Sequence, residues 1–146
     1  MQIERVTHAD DELVAAFARL LPQLNPSSPL PTRDDLAVML AGPSTYLLMA
    51  RAPDLDPELV GTATLTLFRT PVGLQGRINT VVVDAAARGR GIGEALTREA
   101  VQICRDAGVR RITLSSRLDR AAAHRMYLRC GFEVTGSQQF HMMLAR

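Results

Sequence analysis

The stretch Arg88-Gly89-Arg90-Gly91-Ile92-Gly93 constrains this chain more than any other. It follows the β-branched run Val81-Val82-Val83-Asp84 and precedes Glu94 to Val101, which reads as a helix. A strand, a glycine-rich turn and a helix start form an anion site from backbone alone. The first helical N–H groups have no partner inside the helix, and the macrodipole places partial positive charge there. Glycines remove the Cβ atoms that would hold a phosphate away, and Arg88 and Arg90 can add charge-assisted contacts. The motif therefore predicts a pyrophosphate site; the plain alternative is a tight turn with solvated arginines.

Spacing narrows the choice. A Walker loop ends in Gly-Lys-Ser/Thr, whereas Ile92-Gly93-Glu94 has neither the lysine nor the magnesium-binding hydroxyl. A dinucleotide fingerprint needs G-x-G-x-x-G after the first strand, and Gly89, Gly91 and Gly93 lie past mid-chain with a different spacing. The pattern that fits is R-x-x-G-x-G, filled by Arg88, Gly91 and Gly93. It resembles the acetyl-CoA pyrophosphate loop of the GNAT N-acetyltransferase superfamily. A second segment, Asp119 to Phe132, resembles that superfamily's short alanine-rich helix, which carries a tyrosine (here Tyr127) and ends in a glycine and an aromatic residue. Leu20-Leu21-Pro22-Gln23-Leu24 is similar to a segment near the start of a group of small bacterial GNAT proteins. The resemblance runs from Ile3 to Leu144 and is most specific from Ile78 to Phe132.

Hydrophobic periodicity gives the frame. Ile3 to Thr7 alternates as a strand; Asp10 or Asp11 caps a helix that Pro22 should end. Thr32 and Asp35 form a capping box for a short helix to about Leu40, broken by Gly42-Pro43-Ser44. Tyr46–Arg51, Leu59–Arg69 and Leu74–Asp84 read as strands, the last two joined as a hairpin through Thr70-Pro71-Val72-Gly73. The helix after the glycine loop stops at Gly108, Val109–Ser115 is a further strand, and Asp119 is placed to cap the tyrosine helix. Glu133–Thr135 and Gln139–Leu144 read as a closing strand pair around Gly136. The expected class is α/β (α+β): one GNAT-like domain over residues 1–146 with a mixed, mostly antiparallel sheet of about six to seven strands. The resemblance implies that one parallel pair is splayed, and about four helices should flank the sheet.

Composition excludes more than it adds. A charge of +2 without basic runs argues against nucleic acid, including charged tRNA, as a partner. Acidic residues interrupt the start, so no leader peptide or membrane span is expected. Cys104 and Cys130 read as reduced thiols and not as a metal pair, consistent with a cytoplasmic location and no metal site.

The resemblance implies a mechanism. Acetyl-CoA would lie in a V-shaped gap between the Leu74–Asp84 and Val109–Ser115 strands, with Val81, Val82 and Val83 pairing with its pantetheine arm through their backbones. Arg88, Gly89, Arg90, Gly91, Ile92 and Gly93 would hold its pyrophosphate. A backbone N–H in Val81–Val83 would stabilise the oxyanion. His124 stands where relatives often carry a pantetheine-binding asparagine; it is equally consistent with a helix-surface histidine. Tyr127 matches the tyrosine that protonates the departing thiolate; a phenol of pKa ~10 can donate to a thiolate whose acid has pKa ~8.5. Its plain reading is a core aromatic. Relatives commonly carry a glutamate relay where Ile78-Asn79-Thr80 stands, and Asn79 can orient an amine or water but cannot take a proton. Glu133 is a distant candidate base. Gln23, Asn25, Phe68, Arg69, Arg77 and Asn79 are candidates to line the acceptor pocket. The implied function is acetyl transfer to a primary amine of a small molecule; the alternative is an acyl-CoA-binding module or sensor. Homodimers are common among the proteins it resembles, and no residue here specifies an interface.

Overall fold

Apolar residues recur at every fourth position from Ile92 through Leu96, Ala100 and Cys104, giving the helix α3 (Ile92–Ala107) one buried stripe. Gly108 ends it in the left-handed conformation, φ 76°. The computed structural model describes residues 1–145. The stripe lies on a five-stranded sheet in chain order: β1 (Gln2–Val6), β2 (Thr45–Arg51), β3 (Leu59–Thr70), β4 (Gly73–Val83) and β5 (Arg111–Thr113). Neighbours pair antiparallel until the last, where β4 and β5 run parallel. The helix sits close to the sheet because glycines face it. A Cβ on Gly61 would come within 3.0 Å of Ile92 Cγ2, and one on Gly76 within 3.0 Å of Cys104 Sγ.

The other face of the sheet is covered by α1 (Asp11–Leu24) and α2 (Arg33–Ala41). Strand alternation separates the two cores. Leu48 and Ala50 point to the α3 side, whereas Leu47 and Met49 meet Leu13, Phe17 and Leu20 of α1 and Leu36 of α2. Each fully buried leucine contributes about 1.5–3 kcal/mol. Asp10 Oδ1 caps α1 by accepting from the Leu13 N–H at 2.8 Å, and the Thr32–Asp35 capping box is formed at α2. Arg51 joins β1, α1 and the β2–β3 loop through Glu4, Glu12 and Glu58 at 2.9–3.2 Å.

Four expectations need correction. Pro22 lies inside α1, which continues to Leu24. The hydrogen bond it forfeits is to the carbonyl of Ala18, on an exposed turn that water can satisfy. The tyrosine helix, α4 (Ala121–Arg129), has Arg120 as its N-cap with no side-chain cap bond, and Asp119 instead pairs with Arg117 at 3.7 Å. The parallel strand is confined to Arg111–Thr113, shorter than Val109–Ser115, because β4 leaves it. Glu133–Thr135 and Gln139–Leu144 form no strand pair: Val134, Phe140, Met142 and Leu144 are exposed, so the sheet has five strands and not six or seven. Alternation specifies which side chains share a face; it does not supply the sheet that a lone hairpin needs.

Candidate active site

The parting of β4 and β5 makes the site. Only Gln75, Gly76 and Arg77 pair with Arg111, Ile112 and Thr113. Beyond them β4 bulges: between Thr62 and Thr64 two steps along β3 are matched by three along β4, from Val82 to Asn79. Within that bulge Thr80 takes φ 52°, a left-handed conformation that a β-branched residue rarely adopts and that costs on the order of 1–3 kcal/mol. Such strain is characteristic of functional backbone.

A cleft of about 970 Å³ fills the gap. One wall is Ile78–Val83, and the other is Leu114–Arg117 with the first turn of α4 and Tyr127. The start of α3, with Arg88, Gly89 and Gly91–Glu94, closes one end; Leu24, Asn25 and Ser28 close the other. Gly89 (φ 81°) and Gly91 (φ 77°) are left-handed, and a Cβ on either would meet nothing within 4 Å, so the loop is a cradle open to the cleft. Gly91 caps α3 without a side-chain bond, which leaves the first-turn amides for a ligand. Arg88 Nε donates to the Val83 carbonyl at 3.1 Å, binding the loop to the strand end.

The sequence candidates are not all in the cleft. Asn79, Val81, Val82, Val83, Arg88, Gly89, Gly91, Ile92, Gly93 and Tyr127 line it. Arg90 is outside that lining and pairs with Asp54 at 2.8 Å. His124 Nε2 is 2.8 Å from the Arg117 carbonyl, so it ties α4 to the preceding loop. Among the acceptor candidates, Asn25 and Asn79 line the cleft; Phe68 and Arg69 are exposed. Arg77 donates to Thr113 Oγ1 and Ser115 Oγ at 3.3 and 2.9 Å, bracing the end of β5. Gln23 accepts from the Ala85 N–H at 2.8 Å and so holds the turn before the glycine loop. Glu133 is exposed and outside the cleft lining.

Tyr127 is 9% exposed, edge-on to Phe132 with ring centroids 5.9 Å apart. Burial, and then nearby Cys130, push its pKa above the ordinary phenol value against a smaller opposing effect of Arg120, so the hydroxyl keeps its proton. Sequence reasoning missed the side chains that support this geometry. Asp84 pairs with Arg19 at 3.1 Å and accepts from the Ala86 N–H, joining α1 to the strand end; Arg19 also donates to the Leu59 carbonyl. Glu94 holds both Arg98 and Arg129, joining α3 to α4. Arg120 donates to the Leu24 carbonyl at 2.9 Å, across 96 residues of chain. Glu94–Arg98 is a local i,i+4 pair, but no local pattern announces the long-range contacts of Asp84 with Arg19, Glu94 with Arg129, or Arg120 with Leu24. Among the described residues no group of His, Cys, Asp or Glu could hold a metal ion, and no helix is long and apolar enough to cross a membrane.

The family model for the acetyltransferase (GNAT) family matches residues 10–132. The chain is 32% identical to "Probable glucosamine 6-phosphate N-acetyltransferase 2" of Oryza sativa subsp. japonica, over 94% of this chain and 85% of that one. It is also 32% identical to "Aminoglycoside N(6')-acetyltransferase type 1" of Stenotrophomonas maltophilia, over 91% and 86%. The fold is shared with the crystal structure of glucosamine-6-phosphate N-acetyltransferase from Arabidopsis thaliana, at 17% identity and a TM-score of 0.81, over 99% of this chain and 100% of that one. A parallel strand pair parted around a glycine-cradled helix start, a family match across both motifs, and N-acetyltransferases matched over most of their length lead to one assignment: this chain is an N-acetyltransferase of the GNAT family.

Proposed function

We propose that this N-acetyltransferase takes its acetyl group from acetyl-CoA and passes it to the primary amine of a small molecule. The observation that carries the reading is the cleft between β4 and β5, with an open glycine cradle at one end and Tyr127 and Asn79 along its walls. The residues suit the cosubstrate: the α3 amides and Arg88 present donors for a diphosphate. Beyond Arg77, β4 has no ladder partner on its β5 side, so Val81–Val83 offer backbone groups to an extended amide-bearing arm. Acetyl-CoA, when bound, supplies the acetyl group as a thioester that an amine can attack.

The chain's own residues then divide the remaining work. Tyr127 holds a proton at Oη that it can give to a departing thiolate. Asn79, at the rim of the bulge, orients the amine or its water; the amine's proton leaves through solvent, since an amide cannot take it. Relatives named for glucosamine 6-phosphate, an aminoglycoside and L-amino acids support a small amine as acceptor. Thiol release from acetyl-CoA across a panel of amines, amino acids, amino sugars and peptides tests this. Turnover on one small-amine class, falling sharply in Tyr127→Phe, is the expected result. Tight CoA binding with no turnover anywhere would replace it with an acyl-CoA-binding role, and peptide-only turnover would move the acceptor class.

A further inference from the structure

The cleft is not the only cavity at the bulge. On the α1–α2 side of the sheet a second one, about 280 Å³, is lined by Phe17 and Leu21 of α1, Leu36 and Met39 of α2, and Thr64 and Thr80 of the sheet. Thr80 is the residue common to both cavities. The strained bulge is thus a partition, with the cosubstrate cleft on one side and an apolar chamber on the other. We propose that the acceptor is an amine with an apolar substituent, which fills this chamber while the amine reaches the bulge. The inference rests on the acetyl-CoA-dependent transferase reading and names the acceptor's chemistry.

Three observations carry it. The lining is aliphatic and aromatic apart from two threonines and Asp35, the usual make-up of a small-molecule pocket. The space is a groove that opens to solvent past Pro29 and Asp35, and its volume of about 280 Å³ leaves room for a ring or a short branched chain to lie along the apolar wall. Pro29 and Pro31, from the loop between α1 and α2, form part of the wall with fixed backbone angles. Asp35 adds a negative charge at the exposed rim. It is the charged group of the lining, its carboxylate accepting from the Thr32 N–H at 2.9 Å, and it opposes a phosphate or carboxylate on the substituent.

A homologous series of primary amines, ethylamine to hexylamine, tests the chamber with the intact protein and acetyl-CoA. Burial of one methylene corresponds to about a fourfold gain, so kcat/KM should climb about fourfold per carbon until the chamber is full. Leu21→Trp, which takes up part of the volume, should end the climb at a shorter chain. The chain contains no tryptophan, so Met39→Trp places a single tryptophan at the wall, excited apart from the two tyrosines, whose emission should shift with hexylamine and not with glucosamine 6-phosphate. A flat series beside good turnover of polar or anionic amines overturns the inference and leaves the transferase standing. If acetyl-CoA binds and no amine is turned over, the transferase reading fails; the Met39→Trp emission then decides, and an unchanged spectrum with hexylamine overturns the chamber as well.

Discussion

Gly76 lies at the centre of the three-residue ladder that pins β5 to β4, directly under α3. An added Cβ there would stand 3.0 Å from Cys104 Sγ, tighter than most real Cβ contacts, while its next neighbours, Val109 Cγ1 at 3.5 Å and Leu65 Cδ1 at 3.6 Å, are at ordinary contact. The whole clash is therefore with one atom. Overpacking of this kind costs about 1–3 kcal/mol, and the smaller unfolded-state entropy of alanine returns about 0.4–1, so Gly76→Ala should lose roughly 1.5 kcal/mol. Cys104→Ala removes a buried sulfur, a loss of about 1 kcal/mol on the scale of a deleted core methyl group. Together the two changes exchange one atom for another in the same space. The double variant should stand close to the parent, a coupling of about 2 kcal/mol. At about 3 °C per kcal/mol for a chain of this length, its Tm should lie about 6 °C above the additive expectation. Urea unfolding of the four proteins reads the cycle directly. Additivity within about 0.5 kcal/mol would refute the claim that glycine is present at 76 to admit the Cys104 thiol.

Three further outcomes follow from the site. Gly91→Ala has open space but a left-handed backbone, so it should lose about 1–2 kcal/mol of stability and, with a methyl group in the cradle, more of its affinity for CoA by calorimetry. Burial pushes the Asp84 carboxyl upward, but the Ala86 N–H, Arg19 and Gln23 outweigh it and hold its pKa below the ordinary value. A depressed folded-state pKa means that its contribution is complete above the unfolded value of ~3.9 and fades as pH falls through the folded one. Asp84→Asn should thus unfold at lower urea than the parent at pH 7, with the gap closing as pH falls through the lowered folded-state pKa; a gap independent of pH would show that packing, not charge, is lost. Because the Tyr127 phenol is raised above its ordinary ~10, any alkaline loss of kcat that belongs to it should begin above that pH. Tyr127→Phe should lower kcat by about 10²–10⁴-fold and abolish that limb; a limb near neutrality that survives the change would assign the acid elsewhere.

Features written in contiguous residues were readable from the sequence: a helix directly after the glycine loop, read from Glu94 and found from Ile92, its stop at Gly108, the Thr32–Asp35 box, and the hairpin at Pro71-Val72. The parting of β4 and β5 was reached through resemblance to known proteins, since nothing in Val109–Ser115 marks which of its residues stay paired. Long-range polar contacts were not readable. Gln23 looks like a pocket residue until Ala85 is seen to donate to it, and nothing in the sequence marks Arg120 for the Leu24 carbonyl that α1 brings across. Pro22 misled because its cost depends on whether the carbonyl it abandons is wet, a property of the folded surface. The exposed tail shows that an alternating pattern names a face without providing the neighbour it would lie on.

The brevity of the β4–β5 ladder also bears on how the protein comes apart. Three register pairs hold an edge strand, and α4 is attached beyond it through the Glu94–Arg129 ion pair, the buried ring of Tyr127 and the packing of Phe132. Such a unit opens at lower free energy than the β2–β3–β4 centre, so amides of Ile112, Met126 and Tyr127 should exchange with solvent well before those of Leu48 or Leu65. A ligand bound between the strands in the way proposed would supply the missing rungs of the ladder. It would slow exchange in β5 and α4 far more than in the rest of the sheet, making the last third of the chain a thermodynamic reporter of occupancy.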